Sequence, residues 1–268
     1  MQRPQETGPW RRIRDAAGHR PARWLAATGG LLALLASAAW FVHDARLGAR
    51  LVASDPEAIA ADPTLLRAGA ARGRGVFRAH CASCHGAAGK GDSTLGVPDL
   101  TDADWLYGRG KVGDIEKIAA HGIRAHDPRS WNLAVMPAYG TPIPSASERV
   151  PSLSPGEITA VADYILALGG QPADPASVAL GRKVYDKAGC YDCHTADGKG
   201  DPAIGAPNLT DRVWLYGDGG RAAVTYSITH GRAGMCPAWS GRLSRLELRE
   251  VSLYVYALSH GAAPHKVR

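Results

Sequence analysis

A pentapeptide of the form C-x-x-C-H occurs twice in this chain, as Cys81-Ala82-Ser83-Cys84-His85 and as Cys190-Tyr191-Asp192-Cys193-His194. Each copy is followed by Trp-Leu-Tyr-Gly, at Trp105 to Gly108 and at Trp214 to Gly217, and then by His-Gly, at His121-Gly122 and His230-Gly231. Every second copy stands 109 positions after its first. A unit duplicated with its spacing intact restricts the chain to two similar folds in tandem.

Two thiols three positions apart can reach the two vinyl groups of one haem as thioethers, while the adjacent imidazole falls beneath the iron. This is the attachment signature of a c-type haem. A zinc site would usually pool two Cys pairs into one set of four ligands, whereas here each pair has its own His. A redox dithiol would need a βαβ setting, and none is visible. Two covalently attached haem c groups are therefore expected, with thioethers at Cys81, Cys84, Cys190 and Cys193 and proximal ligands at His85 and His194. Repeats of about 90–105 residues are small for a self-sufficient core, and the porphyrins would supply apolar interior. Only two Phe stand against seven Trp and nine Tyr.

A haem iron that shuttles electrons needs a second axial ligand, and Met fills this place while raising the potential. Three Met are present, one of them Met1. Met136, in Val135-Met136-Pro137-Ala138-Tyr139, is expected to ligate the first haem from a loop fixed by the Pro. The matching stretch is Met235-Cys236-Pro237-Ala238-Trp239, and aligning Pro-Ala puts Cys236 where Met136 stands. Four readings stay open: Met235 ligates after a one-residue shift, Cys236 ligates as thiol or thiolate, His230 ligates, or Cys236 is a buried small residue and another group serves the iron.

Trp24 to Val42 runs nineteen positions without a charge, long enough to cross a bilayer as one helix. Arg3, Arg11, Arg12, Arg14, Arg20 and Arg23 precede it, against Arg46 and Arg50 just after. The positive-inside rule then puts the N-terminus in the cytoplasm and the repeats outside. The rival is a signal peptide cleaved after Ala36-Ser37-Ala38. The net charge of +6 could suggest nucleic acid, but the haem repeats contain no Lys/Arg run, so no nucleic-acid partner is expected.

The fold expected is mainly α: one transmembrane helix and two tandem cytochrome c-like domains. The boundaries are a basic cytoplasmic segment at 1–23, the transmembrane helix at 24–42, a tether at 43–63, a first haem domain at 64–170, a linker at 171–175, a second haem domain at 176–260 and a tail at 261–268. Ser154-Pro155-Gly156-Glu157 has the residues of a capping box with Pro at the first helical position, and opens the helix that closes the first repeat. A last helix runs from about Ser244 to Ser259, with Leu248, Val251, Val255 and Leu258 inward.

C-x-x-C-H, G-K-G-D, P-(D/N)-L-T-D-x-x-W-L-Y-G, H-G-R, P-A-W and the final Y-V-Y-A-L-S together resemble the membrane-anchored dihaem subunit, of the FixP/CcoP type, of cbb3-type cytochrome c oxidases. The likeness covers about Trp24 to His260. It implies a single-pass protein of the bacterial inner membrane with periplasmic haem domains. Such a subunit passes electrons from a soluble or membrane cytochrome c donor to the haem-copper subunit, beside a monohaem cytochrome c subunit, and catalyses nothing alone. It also implies Cys81, Cys84, His85 and Met136 as one ligand set and Cys190, Cys193 and His194 as the other, with the second distal Met falling on Cys236. The alternatives are a dihaem subunit of another membrane dehydrogenase, and a peroxidase or haem sensor using an open second haem.

Overall fold

The computed structural model describes residues 20–140 and 150–261, with side chains from Thr28 onward. The basic segment before Arg20 and the tail beyond Gly261 lie outside the described residues. Ten α-helices and no strands make up the described part. Among the described residues, those up to Arg50 form one compact unit and those from Leu51 a second.

Helix α1 (Arg20–Ala53) carries the apolar stretch. Leu31, Leu32, Leu34, Leu35, Trp40 and Phe41 are all exposed, as suits an apolar stretch that faces lipid. The helix is long and apolar enough to cross a membrane over Thr28–Ala53. The stretch expected as a tether is largely helical. After α1 come α2 (Pro56–Ala61) and α3 (Pro63–His80), each opened by an Asp, Asp55 or Asp62, whose carboxylate accepts the first free amides, with Pro at the first helical position. Those caps satisfy donors a helix start leaves unpaired.

The first repeat continues with α4 (Ala82–His85), α5 (Val112–His121) and α6 (Pro155–Leu168). The second comprises α7 (Pro175–Lys187), α8 (Tyr191–His194), α9 (Arg221–His230) and α10 (Arg245–Ser259). The capping box at Ser154 forms as read, and Ser244 with Glu247 makes another.

The closing helices are exchanged. The closing helix of the second repeat, α10, packs on α3 and α5 of the first, while α6 packs on α7 and α9 of the second. Their faces explain the fit. On α3, Leu66, Gly69, Ala70, Gly73 and Phe77 are buried, one stripe at helical spacing. A Cβ at Gly73 would overlap the Glu250 carbonyl, and one at Gly181 on α7 would overlap that of Ala160. Glycine lets backbones touch at both crossings. The rings of Phe77 and Tyr254 lie 5.2 Å apart across one, and those of Tyr164 and Tyr185 5.3 Å across the other. Arg249, buried on α10, pairs with Glu116 of α5 and donates to the carbonyls of Leu51 (2.8 Å) and Ser54 (2.9 Å) at the end of α1. Asp163, buried on α6, pairs with Arg221 and accepts from Ser177 at 2.6 Å. Each buried charge thus has partners that offset its desolvation.

Candidate haem sites

Each C-x-x-C-H motif is one helical turn set directly after a long helix. The Cys81 amide donates to the Phe77 carbonyl (2.8 Å), and that of Cys190 to Tyr185 (3.0 Å). Downstream, the Gly91 amide returns to the His85 carbonyl (2.9 Å) and the Gly200 amide to that of His194 (3.0 Å). Both glycines have positive φ, +69° and +74°, where a side chain would be strained.

The two loops then hold a proline carbonyl against each histidine. Nδ1 of His85 lies 3.3 Å from the Pro98 carbonyl, and Nδ1 of His194 lies 3.0 Å from that of Pro207. A carbonyl only accepts, so Nδ1 carries the proton and Nε2 keeps its lone pair for a metal. Burial lowers the pKa of both imidazoles, favouring the neutral form that ligates. The duplicated P-(D/N)-L-T supplies the rigidity. Asp99 Oδ1 accepts the Thr101 amide and hydroxyl, both at 2.7 Å. Asn208 Oδ1 accepts those of Thr210 at 2.9 and 2.8 Å.

Both motifs open on one continuous cavity of about 610 Å³, lined by Cys81, Cys84, His85, Cys190, Cys193 and His194 among largely apolar walls. None of these cysteines is in a disulfide. No cluster of three or more His, Cys, Asp or Glu suited to a bare metal ion occurs among the described residues. Thiols in pairs, neutral imidazoles with Nε2 available and an apolar cavity fit haem c.

Backbone pairing decides the register of the distal segments. Ile123 and Cys236 exchange both hydrogen bonds, at 2.9 and 3.0 Å, and Met136 does the same with Arg232, at 3.0 and 2.9 Å. Ile123 and Arg232 are counterparts 109 positions apart, so Cys236 is the structural counterpart of Met136. The Met235 side chain is 72% exposed. His230 is exposed, its ring stacked on Tyr226 at 4.1 Å. Geometry therefore favours neither the shifted register nor His230.

Met136, expected to ligate the haem of His85, packs against the cluster that also borders Cys190. Met136 and Tyr139 pack with Val184, Tyr185, Leu209, Val224 and Ile228, beside Cys190, which is the His194 side. The reason is local: the amides of Tyr139 and Gly140 donate to Ile228 and Thr229 at the end of α9, both at 3.0 Å. Conversely, the amides of Trp239 (3.1 Å) and Ser240 (2.9 Å) donate to Ala120 at the end of α5. Cys236 thereby comes near Cys81 and Cys84. Burial, and then proximity to Cys84, pushes its thiol up to about 11, so it is protonated at neutral pH.

Residues 70–169 match the family model described as cytochrome c, and residues 176–255 the one described as cytochrome C oxidase, cbb3-type, subunit III. The chain is 39% identical over 221 residues to the cbb3-type cytochrome c oxidase subunit CcoP of Cereibacter sphaeroides, covering 81% of this chain and 71% of that protein. It is 42% identical over 220 residues to CcoP of Rhodobacter capsulatus, covering 79% and 70%. It is 37% identical over 201 residues to subunit FixP of a Bradyrhizobium species, covering 75% and 64%. The chain belongs to the subunit III family of cbb3-type cytochrome c oxidases. As a cbb3 subunit III it is a component of an oxidase complex and binds haem c, and its long apolar helix is consistent with membrane anchoring.

Three residues that sequence reading did not single out for their contacts hold this subunit III together at the cavity. Arg124, with φ of +49°, donates from Nε to the Gly234 carbonyl and from Nη1 to that of Ala134 at 3.0 Å, so one guanidinium ties both distal loops. Tyr107 packs on Gly205 and Tyr216 on Gly96, while the amides of Gly108 and Gly217 donate to Pro202 (3.0 Å) and Ser93 (2.9 Å) of the opposite repeat. The duplicated Trp-Leu-Tyr-Gly is thus a clamp between repeats. Its duplication was visible in the sequence, its partner was not.

Proposed function

We propose that this subunit III carries two haem c groups, held by thioethers at Cys81 and Cys84 and at Cys190 and Cys193, with His85 and His194 as proximal ligands. When bound, haem c supplies reversible one-electron chemistry at iron, by which the chain would take electrons from a cytochrome c or membrane donor and deliver them to the haem-copper subunit. Its own residues bind, orient and seal. Pro98 and Pro207 fix the imidazole tautomers, and the shared, largely apolar cavity would surround the haems.

The observation that carries this reading is that both C-x-x-C-H motifs open on one cavity with each His Nδ1 bonded to a carbonyl. The Arg-rich segment ahead of α1 supports a cytoplasmic N-terminus, with the haem part in the periplasm. A monohaem cytochrome c subunit and the haem-copper subunit are its proposed neighbours. Purified chain should yield two haems per polypeptide that resist acid-acetone extraction and, once reduced, are reoxidised by the oxidase core. One haem per chain, or extractable haem, would reject the proposal. Cys236 standing where Met136 has its counterpart favours a second reading, in which one iron is open to a small ligand, as in a peroxidase or sensor. Carbon monoxide decides between them, since two six-coordinate irons leave the reduced spectrum unchanged.

A further inference from the structure

Resting on that two-haem reading, we propose that Arg124 and Arg232 are carboxylate-binding subsites of the cavity, one guanidinium from each repeat receiving a propionate of the haems. Both residues line the cavity and both are half-buried. They do not share a sequence register, since Ala233 stands 109 positions after Arg124, and Arg232 stands 109 after Ile123. The fold nevertheless gives them one setting. Arg124 lies over the ring of Tyr107, its Cζ 5.9 Å from the centroid, and Arg232 lies over that of Tyr216 at 4.0 Å. These are the tyrosines of the two Trp-Leu-Tyr-Gly clamps, so each clamp carries one cation into the cavity wall.

The hydrogen-bond partners of both cations are uncharged. Arg124 donates to the carbonyls of Gly234 and Ala134, and Arg232 donates from Nε to the Ser227 hydroxyl at 3.0 Å. Elsewhere in the chain the buried charges are paired, Arg249 with Glu116 and Asp163 with Arg221, as the cost of desolvation requires. The two carboxylates that line the cavity do not serve here: Asp99 is paired with Lys90 at 3.2 Å, and among the described residues Asp104 makes an ion pair with neither arginine. A guanidinium presents five N–H donors in a planar fork that matches a carboxylate. Arg124 uses Nε and Nη1 and Arg232 uses Nε, which leaves Nη2 of each for a ligand. A haem brings that ligand with it, as propionates on the edge of an otherwise apolar ring, and burying them without a cation would be costly. Each arginine then cancels a negative charge that would favour ferric iron, and so raises the potential of the haem it serves.

The test uses the full-length chain matured with both haems. Gln at either position keeps an amide donor and removes the charge, whereas Lys keeps the charge and changes the donor geometry. In redox titrations Arg124→Gln and Arg232→Gln should each lower a midpoint potential, while Arg124→Lys and Arg232→Lys should hold it near the native value. Arg129→Gln, at a 69% exposed side chain on the same loop as Arg124, should leave both potentials in place. Unmoved potentials in the Gln variants would overturn the proposal. An equal fall in the Gln and Lys variants would also overturn it, reducing the arginines to supports of the loops. One covalent haem in the unmutated chain would instead reject the two-haem reading. Should a variant fail to fold, the unmutated ferrous protein answers by NMR. The guanidinium protons of Arg124 and Arg232 should show cross-relaxation to propionate methylenes, and contact with the rings of Tyr107 and Tyr216 alone would overturn the proposal.

Discussion

Glu157 occupies the third position of α6, where its carboxylate accepts from the Ser154 amide and pairs with Lys187 of α7 at 2.9 Å. The Lys187 hydrogen bond, then those of Ser154, hold its carboxyl at about 2, below the usual 4.5. A depressed folded-state pKa adds stability that is present above the unfolded value and is lost as pH falls through the folded one. The urea midpoint should therefore fall between pH 4.5 and 2 more steeply in the native chain than in Glu157→Gln, and parallel curves would remove this carboxylate from acid unfolding. The pair is exposed, so the difference is small. At Cys236, replacement by Met puts a thioether at the counterpart of Met136. Cys236→Met should roughly double the intensity of the far-red band and raise the potential of the first haem, whereas an unchanged band would mean that this side chain does not face iron. The proposed attachment and proximal residues were legible as candidates because their chemistry is written in adjacent positions. The distal register was not, since Met235 and Cys236 are neighbours and only the backbone pair with Ile123 separates them.

Two crossings decide how the helices meet. In an isolated helix Gly→Ala gains about 1 kcal/mol of propensity. At Gly73 and Gly181 the added methyl would meet a backbone carbonyl, which cannot rotate away, and overpacking of this kind costs about 1–3 kcal/mol. The clash should win. Gly73→Ala and Gly181→Ala are each expected to lower the denaturant midpoint, while Gly75→Ala, with open space around it, should leave it level or raise it. Helix α1 makes a different prediction. An apolar helix holds by burial in hydrocarbon, which salt does not screen, so the protein should stay with membranes through high-salt washing, its mature N-terminus upstream of Ala39. Release by salt would replace the anchor with charge. The starts of α6 and α10 were readable from Ser-x-x-Glu. Periodicity also named the buried faces of α10, Leu248, Val251 and Val255, but a face does not carry the name of its partner.

That limit becomes the main property of the whole molecule. Because the repeats descend from one pattern, α6 and α10 present similar faces to similar partners, and local pattern suits packing within a repeat as well as across. What separates the two arrangements is length and anchoring: the distal loops end on α9 and α5 of the opposite repeat, and the closing helices follow their loops. Neither repeat then has a closed core of its own. A fragment ending at Gly170 would leave the α3 stripe, Leu66 to Phe77, without α10, and would leave Arg249's partners Glu116, Leu51 and Ser54 without their cation. A small domain missing one wall of its core is near or below the threshold of stability. The fragment spanning 51–170 should show no cooperative thermal transition alone. Mixing it with the fragment spanning 171–268 should restore one at a concentration-dependent midpoint, as association requires. A sharp, concentration-independent transition of the first fragment by itself would show that its core closes without the other repeat, and would return each closing helix to the repeat that encodes it.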